Sequence, residues 1–210
     1  GKQIWKEQGP QVEKIGVTET APTGIVTLVF CDVQDSQTLW EDLPDCMTLA
    51  QSILNKTLRD KIIKNSGYEV KSDGESFMIA FSSARSAISF CCDVHEALVF
   101  ADWPIKLLKQ ASAAEEITAE GTPLYRGLRM RMGVHTGTPQ CVINQGTHRM
   151  DYQGQMVNKA ARIASIARGG VALASEDSWR AFRDQIDQKR VFTRPVGKIL
   201  LRGFSLEDML

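Results

Sequence analysis

The sequence has no surplus of either charge: 25 Lys and Arg face 25 Asp and Glu, and the formal net charge is zero. Without a basic excess there is no electrostatic footprint for DNA, RNA or an acidic membrane, although a small anionic ligand needs only local charge. Long apolar runs are missing as well. None approaches the ~20 residues that cross a bilayer, and no signal peptide opens the chain. The expectation is a soluble polypeptide, connected to a membrane only through segments outside these 210 residues. Histidine is scarce, with three residues at 95, 135 and 148 that do not cluster. That speaks against a histidine-rich metal centre and for structural roles. Cysteine is odd in number, five at 31, 46, 91, 92 and 141, in no zinc spacing. Small buried thiols in a reducing compartment are expected. Neither G-x-x-x-x-G-K-[ST] nor G-x-G-x-x-G occurs, so phosphate is not cradled in a glycine loop. No G-x-S-x-G elbow offers a serine nucleophile.

The length suits one large domain or a small pair, with a core that needs no staples. Residues 1–23 are polar, with Pro10 and Pro22, and have the composition of a leader or linker before a domain at 24–210. "GIVTLVFCDV" is a β-branched apolar run, a buried central strand with Asp32 at its C-terminal end. A helix opens at Pro44 or Asp45, aligns Met47, Ala50, Leu54, Leu58 and Ile62 on one face, and ends at Gly67. Strands near 68–72 and 75–81 flank a polar turn. Ser82 or Ser83 caps a second helix to about residue 100, with Ala84, Ala87, Ile88, Cys91 and Leu98 inward. From 103 to 126 the periodicity dissolves into an insertion with room for one short helix. It is either a regulatory subdomain or a tolerated surface insertion. "LRMRMGVHTG" alternates as a strand, and "PQCVIN" is expected to pair with it. A helix from Gly154 to about Arg168, a strand in "GGVALAS", a helix over 176–185, and strands near 189–194 and 198–202 complete the pattern. The fold class is α+β: a ferredoxin-like βαββαβ core, mostly antiparallel, with helices on one face, C-terminal α/β additions and an inserted subdomain. Such a fold decides nothing about function.

Three groups of polar residues stand out. In a split βαβ sheet the first and third strands are neighbours, so Asp32 and Glu75 reach one sheet edge. Two hard oxygen ligands there suit Mg²⁺, whose shell is completed by water and phosphate. Pattern alone favours two solvated acids. Lys71 and Asp73 share the turn "KSDGES" with Glu75. In the helix after Gly154, Met156, Ala160, Ala161, Ile163, Ala164 and Ala167 share one side. Asn158, Arg162 and Ser165 line the other, so an amide and a guanidinium stand one turn apart. A wet helix surface explains them equally, but Arg suits developing phosphate charge.

"VTLVFCDVQDS", "EVKSDGESFMIAF", "LRMRMGVHTG" and "MDYQGQMVNKAARI", in this order, resemble the catalytic domain of class III nucleotidyl cyclases. The likeness covers roughly residues 24 to 205. The insertion resembles that of receptor-type adenylate cyclases of trypanosomatids. The resemblance implies two divalent cations (Mg²⁺ or Mn²⁺) held by Asp32 and Glu75. The second ligand departs from the usual Asp, and Asp73 competes for the place. It implies that Lys71 and Asp151 read the base, that Asn158 orients the ribose, and that Arg162 meets the charged phosphoryl group. A late basic residue on the terminal phosphates is Arg202, or alternatively Lys198. Lys only donates and ionised Asp only accepts, which fits the N1 acceptor and amine donor of adenine and opposes guanine. The expected partners are therefore ATP as substrate and a second copy in a homodimer, because in the family each site draws on two subunits. The expected setting is the cytoplasmic side of a membrane receptor. The rival expectations are a guanylyl cyclase, a polymerase-like phosphotransferase, and a degenerate cyclase fold kept for dimerisation or sensing.

Overall fold

A computed structural model describes residues 20–187 and 191–201. Its first half comprises β1 (Val26–Val33), α1 (Ser36–Asp42), α2 (Pro44–Lys64), β2 (Tyr68–Asp73), β3 (Ser76–Phe81) and α3 (Ala84–Val99). The insertion contributes α4 (Ile105–Leu108), β4 (Glu116–Ile117) and β5 (Pro123–Tyr125). Then follow β6 (Met130–Gly137), β7 (Gln140–Ile143), β8 (Met150–Gln153), α5 (Gln155–Ile166), β9 (Val171–Ala174) and α6 (Glu176–Phe182).

The main sheet has the order β2-β3-β1-β6-β9. The first four strands are antiparallel and β9 runs parallel to β6. The expected ferredoxin-like order is therefore present. β1 is apolar on both sides because both sides are covered. Val29, Cys31 and Val33 enter a core built with α2, α3 and Phe182 of α6. Val26 and Leu28 enter a second core with Tyr68, Met78, Tyr152, Met156 and Ala160. The inward faces read from the 3.6-residue period are buried in α2 and α3, including Met47, Leu54, Ile62, Ile88 and Cys91. The Ser83 side chain caps α3 by accepting from the Ser86 amide.

The core helices α2 and α3 share one face, as expected of the βαββαβ unit, and α5 from the C-terminal part covers the opposite face, where a sheet apolar on both sides needs a second cover. Gly133 makes this possible. A Cβ there would collide with the backbone nitrogen of Ala164 and lie 2.7 Å from the Ala160 carbonyl oxygen. Two expectations are corrected. The "PQCVIN" strand does not pair with β6. It forms β7 and pairs with β8 in a separate two-stranded arm, because β6 is already flanked by β1 and β9. Last, residues 191–201 carry no regular secondary structure where late strands were expected. Pro195 cannot donate to a ladder, and residues 192–198 are exposed. Positions 189, 190 and 202 of those strands lie outside the described residues. Neither α1, whose single buried residue is Leu39, nor the β4–β5 pair was expected. The helix in the insertion is present as α4.

Candidate active site

The carboxylate edge follows from strand register. β1 and β3 are paired as far as Cys31 with Phe77. One step further, Asp32 comes level with Ser76, so the Gly74–Glu75 turn sits at the same end of the sheet. Gly74 has φ 59, a left-handed conformation that favours glycine and closes the hairpin tightly. Glu75 is half-buried in that turn, while Asp73 is exposed at the end of β2, opposite Ser76. On its other side β1 pairs with β6, with Asp32 opposite Arg131. The Arg131 Nε donates to Asp32 Oδ1 at 2.6 Å, and the two side chains are 31% and 33% exposed, so solvent and other cations still reach the carboxylate. Asp32 thus already holds a cationic group, which is the donor chemistry a divalent ion needs. Among the described residues no three His, Cys, Asp or Glu gather around a point. A cation at Asp32 and Glu75 would complete its shell with phosphate and water, as Mg²⁺ commonly does. The residues present fit such an ion.

A second polar pair lies two strands away, roughly 10 Å at the usual strand spacing. The β2–β3 register shifts between Glu69 and Lys71, so Val70 is accommodated in a bulge and Lys71 falls opposite Met78. Met78 belongs to the core beneath α5, and the bulge therefore turns Lys71 to that face. There the Lys71 Nζ donates to both Asp151 carboxylate oxygens at 3.3 Å. Lys71 is 59% exposed and Asp151 19%, so the carboxylate is the anchored partner. Its anchoring is visible. The Tyr152 amide donates to Asp151 Oδ1 at 2.7 Å, and the Tyr152 hydroxyl donates to the Pro22 carbonyl at 2.7 Å. Burial pushes that hydroxyl's pKa up, so it stays a protonated donor. The Tyr68 hydroxyl donates to the Met150 carbonyl, and Arg149 lies over the Tyr68 ring and donates to the Glu69 carbonyl at 2.6 Å. Arg149 and Tyr68 thereby pin the arm to the sheet edge.

Asn158 and Arg162 lie on the exposed face of α5, as the helical period requires, while Met156, Ala160, Ile163 and Ala164 are buried. Among the described residues no hydrogen bond or ion pair engages the Arg162 guanidinium; its carbonyl accepts from Ser165 Oγ at 2.7 Å. Arg202 lies outside the described residues. Its alternative, Lys198, is exposed in the irregular segment 191–201. The structure therefore joins Lys71 to Asp151 and brings Asp32 and the Glu75 turn to one edge. The sequence reading missed Arg131 and Arg149. Arg131 had one signal, an arginine alternating with methionines in a strand otherwise apolar or small. Arg149 had none, because its role depends on the arm folding back.

Similar proteins bear on the family and the fold. The family model described as adenylate and guanylate cyclase catalytic domain matches residues 18–209. An adenylate cyclase of Neurospora crassa is 40% identical over 156 residues, covering 74% of this chain and 7% of that protein. Receptor-type adenylate cyclase B of Leishmania donovani is 35% identical over 201 residues, covering 87% of this chain and 15% of that protein. This chain thus spans only a small part of the length of the curated relatives it matches. Among solved structures, adenylate cyclases from Trypanosoma brucei in their monomeric state superpose with a TM-score of 0.77 at 30% identity, covering 90% of this chain and 88% of that one. The ordered motifs, the sheet and the matched length together place this chain in the adenylate and guanylate cyclase catalytic domain family.

Proposed function

We propose that this chain is an adenylate cyclase catalytic domain that converts ATP to 3′,5′-cyclic AMP and pyrophosphate. The observation that carries the substrate choice is the Lys71–Asp151 pair, a donor and an acceptor held side by side at 3.3 Å. Adenine offers an acceptor at N1 and a donor amine beside it, so each meets its complement. Guanine sets donor against donor and acceptor against acceptor. An unpaired buried polar group costs about 1–3 kcal/mol, so two mismatches disfavour GTP strongly.

Asp32 and Glu75 hold the divalent cations in this reading. Bound Mg²⁺ or Mn²⁺ supplies Lewis acidity toward the ribose 3′-hydroxyl and the phosphate oxygens. The 3′-oxygen attacks the α-phosphorus in line and pyrophosphate leaves. Asn158 keeps the ribose aligned, an orientation effect. The exposed Arg162 guanidinium meets the charge that grows on the phosphoryl oxygens. Arg202, or Lys198 in its place, grips the leaving phosphates. The resemblance to the family supports their working in different sites. In a symmetric homodimer one copy supplies Asp32 and Glu75, and the other supplies Lys71, Asp151, Asn158 and Arg162.

The likeness to receptor-type relatives supports a place on the cytoplasmic side of a membrane receptor; no helix among the described residues is long and apolar enough to cross a membrane. The test is incubation of the purified chain with ATP and Mn²⁺ at rising protein concentration, with cyclic AMP and pyrophosphate assayed. Turnover per mole should rise with concentration and GTP should be converted far more slowly. Absence of cyclic AMP at every concentration refutes the proposal.

A further inference from the structure

Arg129 ties the insertion to the strand that flanks the carboxylate edge. Arg129 immediately precedes β6, and its carbonyl accepts from the Gln34 amide at 2.9 Å, which extends the β1–β6 ladder beyond Asp32. Its guanidinium belongs to the insertion. Nη1 meets Glu116 at 2.7 Å, Nη2 donates to the Ala114 carbonyl at 3.0 Å, and the group lies 5.0 Å from the centre of the Tyr125 ring. Arg129 is only 13% exposed and its Nε has no hydrogen-bond partner. The turn after α5 closes the junction. The Gly169 amide donates to Gln34 Oε1 at 2.6 Å, a Cβ on Gly169 would lie 2.8 Å from Arg129 Cβ, and one on Gly170 would strike the Tyr125 ring.

Strand alternation gives this junction an electrostatic consequence. Met130 points into the helical core and Arg131 to the other face, and Arg129 stands two residues or roughly 7 Å before Arg131 along the chain, its Cβ beside the turn that follows α5 and its guanidinium in the insertion. Arg131 is neutralised by Asp32, and Arg129 by Glu116. Each guanidinium thus has its own carboxylate, and the one for Arg129 comes from the insertion.

We propose that the insertion, through Glu116, keeps the Arg129 charge away from the carboxylate edge and so sets the affinity of that edge for divalent cations. Arg129 is a positioning residue: it touches neither substrate nor cation. Without Glu116 its charge is uncompensated near the carboxylate edge, and a divalent ion there should bind roughly five-fold more weakly. Part of that effect should vanish at high ionic strength, because Glu116 is half-exposed.

This inference rests on Asp32 being a cation ligand, and the experiment separates the two claims. Mn²⁺ is titrated into the full chain with a non-cyclising ATP analogue, and free Mn²⁺ is read by its electron paramagnetic resonance signal. Thermal melts confirm that each variant is folded. Glu116→Gln should raise the half-saturating Mn²⁺ about five-fold and leave KM for ATP at saturating Mn²⁺ unchanged. Glu116→Gln combined with Arg129→Gln should return the titration to that of the parent. An unchanged titration in folded Glu116→Gln overturns the inference, as does a double variant no better than the single one. Mn²⁺ binding that survives Asp32→Ala overturns instead the reading of Asp32 as a ligand.

Discussion

Lys71 and Asp151 are 80 positions apart in the chain, yet they form one hydrogen-bonded ion pair. What unites them is backbone: a bulge at Val70 rotates Lys71 upward, and Arg149 and Tyr68 pull the arm down to meet it. Removing one partner leaves the other without its complement, at about 1–3 kcal/mol. Asp151→Asn and Lys71→Met should therefore each lower kcat/KM for ATP by roughly ten- to a hundred-fold. Both should also shrink the preference for ATP over GTP, measured by parallel turnover of the two nucleotides. A uniform loss for both nucleotides would show that the pair holds the arm rather than reads the base. The identities of these residues were readable in the sequence because they fall inside long motifs. Arg131 was not singled out, since only strand register reveals that it faces Asp32 at 2.6 Å. The buried His135 and the partly buried His95 make structural contacts. His95 contacts the Met130 carbonyl oxygen and His135 the Ser175 hydroxyl. Burial lowers both pKa values to about 4, and for His135 the nearby Lys159 adds to the effect while Asp177 opposes it. The unfolded chain takes up these protons near the ordinary value of 6.5 while the fold resists them. Stability is therefore retained above that value and lost as pH falls toward 4. Thermal melts should show Tm dropping across that window, and a His135→Asn variant should drop less steeply.

At the scale of elements, the long helices and the central strands were legible because each buries a repeating face. α2 shows this in Met47, Ala50, Leu54, Leu58 and Ile62, spaced by three and four. The elements that escaped are short or depend on distant partners. α1 covers seven residues and buries one. β7 alternates like any strand, and nothing local tells it to pair with β8 rather than β6. The face chosen by α5 is also a tertiary decision, written in one glycine. Gly133 lets the α5 backbone rest directly on β6. Gly133→Ala should force the helix outward, with overpacking of about 1–3 kcal/mol seen in chemical denaturation. Activity should fall further than stability, because Asn158 and Arg162 ride on the displaced helix. Full activity in a destabilised Gly133→Ala variant would show that α5 is not positioned this way.

For the whole molecule, Asp32, the Lys71–Asp151 pair and the exposed Asn158–Arg162 face all belong to the side of the sheet that α5 covers. In the proposed homodimer each site takes its carboxylates from one copy and the remaining residues from the other. Asp32→Ala removes one half-site's contribution and Arg162→Ala the other's, so each homodimer should lack both working sites. Mixing them creates a heterodimer with one site built entirely of parental residues. The decisive measurement is cyclic AMP formation by Asp32→Ala and Arg162→Ala alone and mixed in equal amounts, with dimer formation followed by analytical ultracentrifugation. Two nearly inactive variants that regain up to about a quarter of the parental turnover on mixing, because half the dimers then carry one intact site of two, are the predicted result. Heterodimers that form and stay inactive, or an Arg162→Ala variant active on its own, would contradict it.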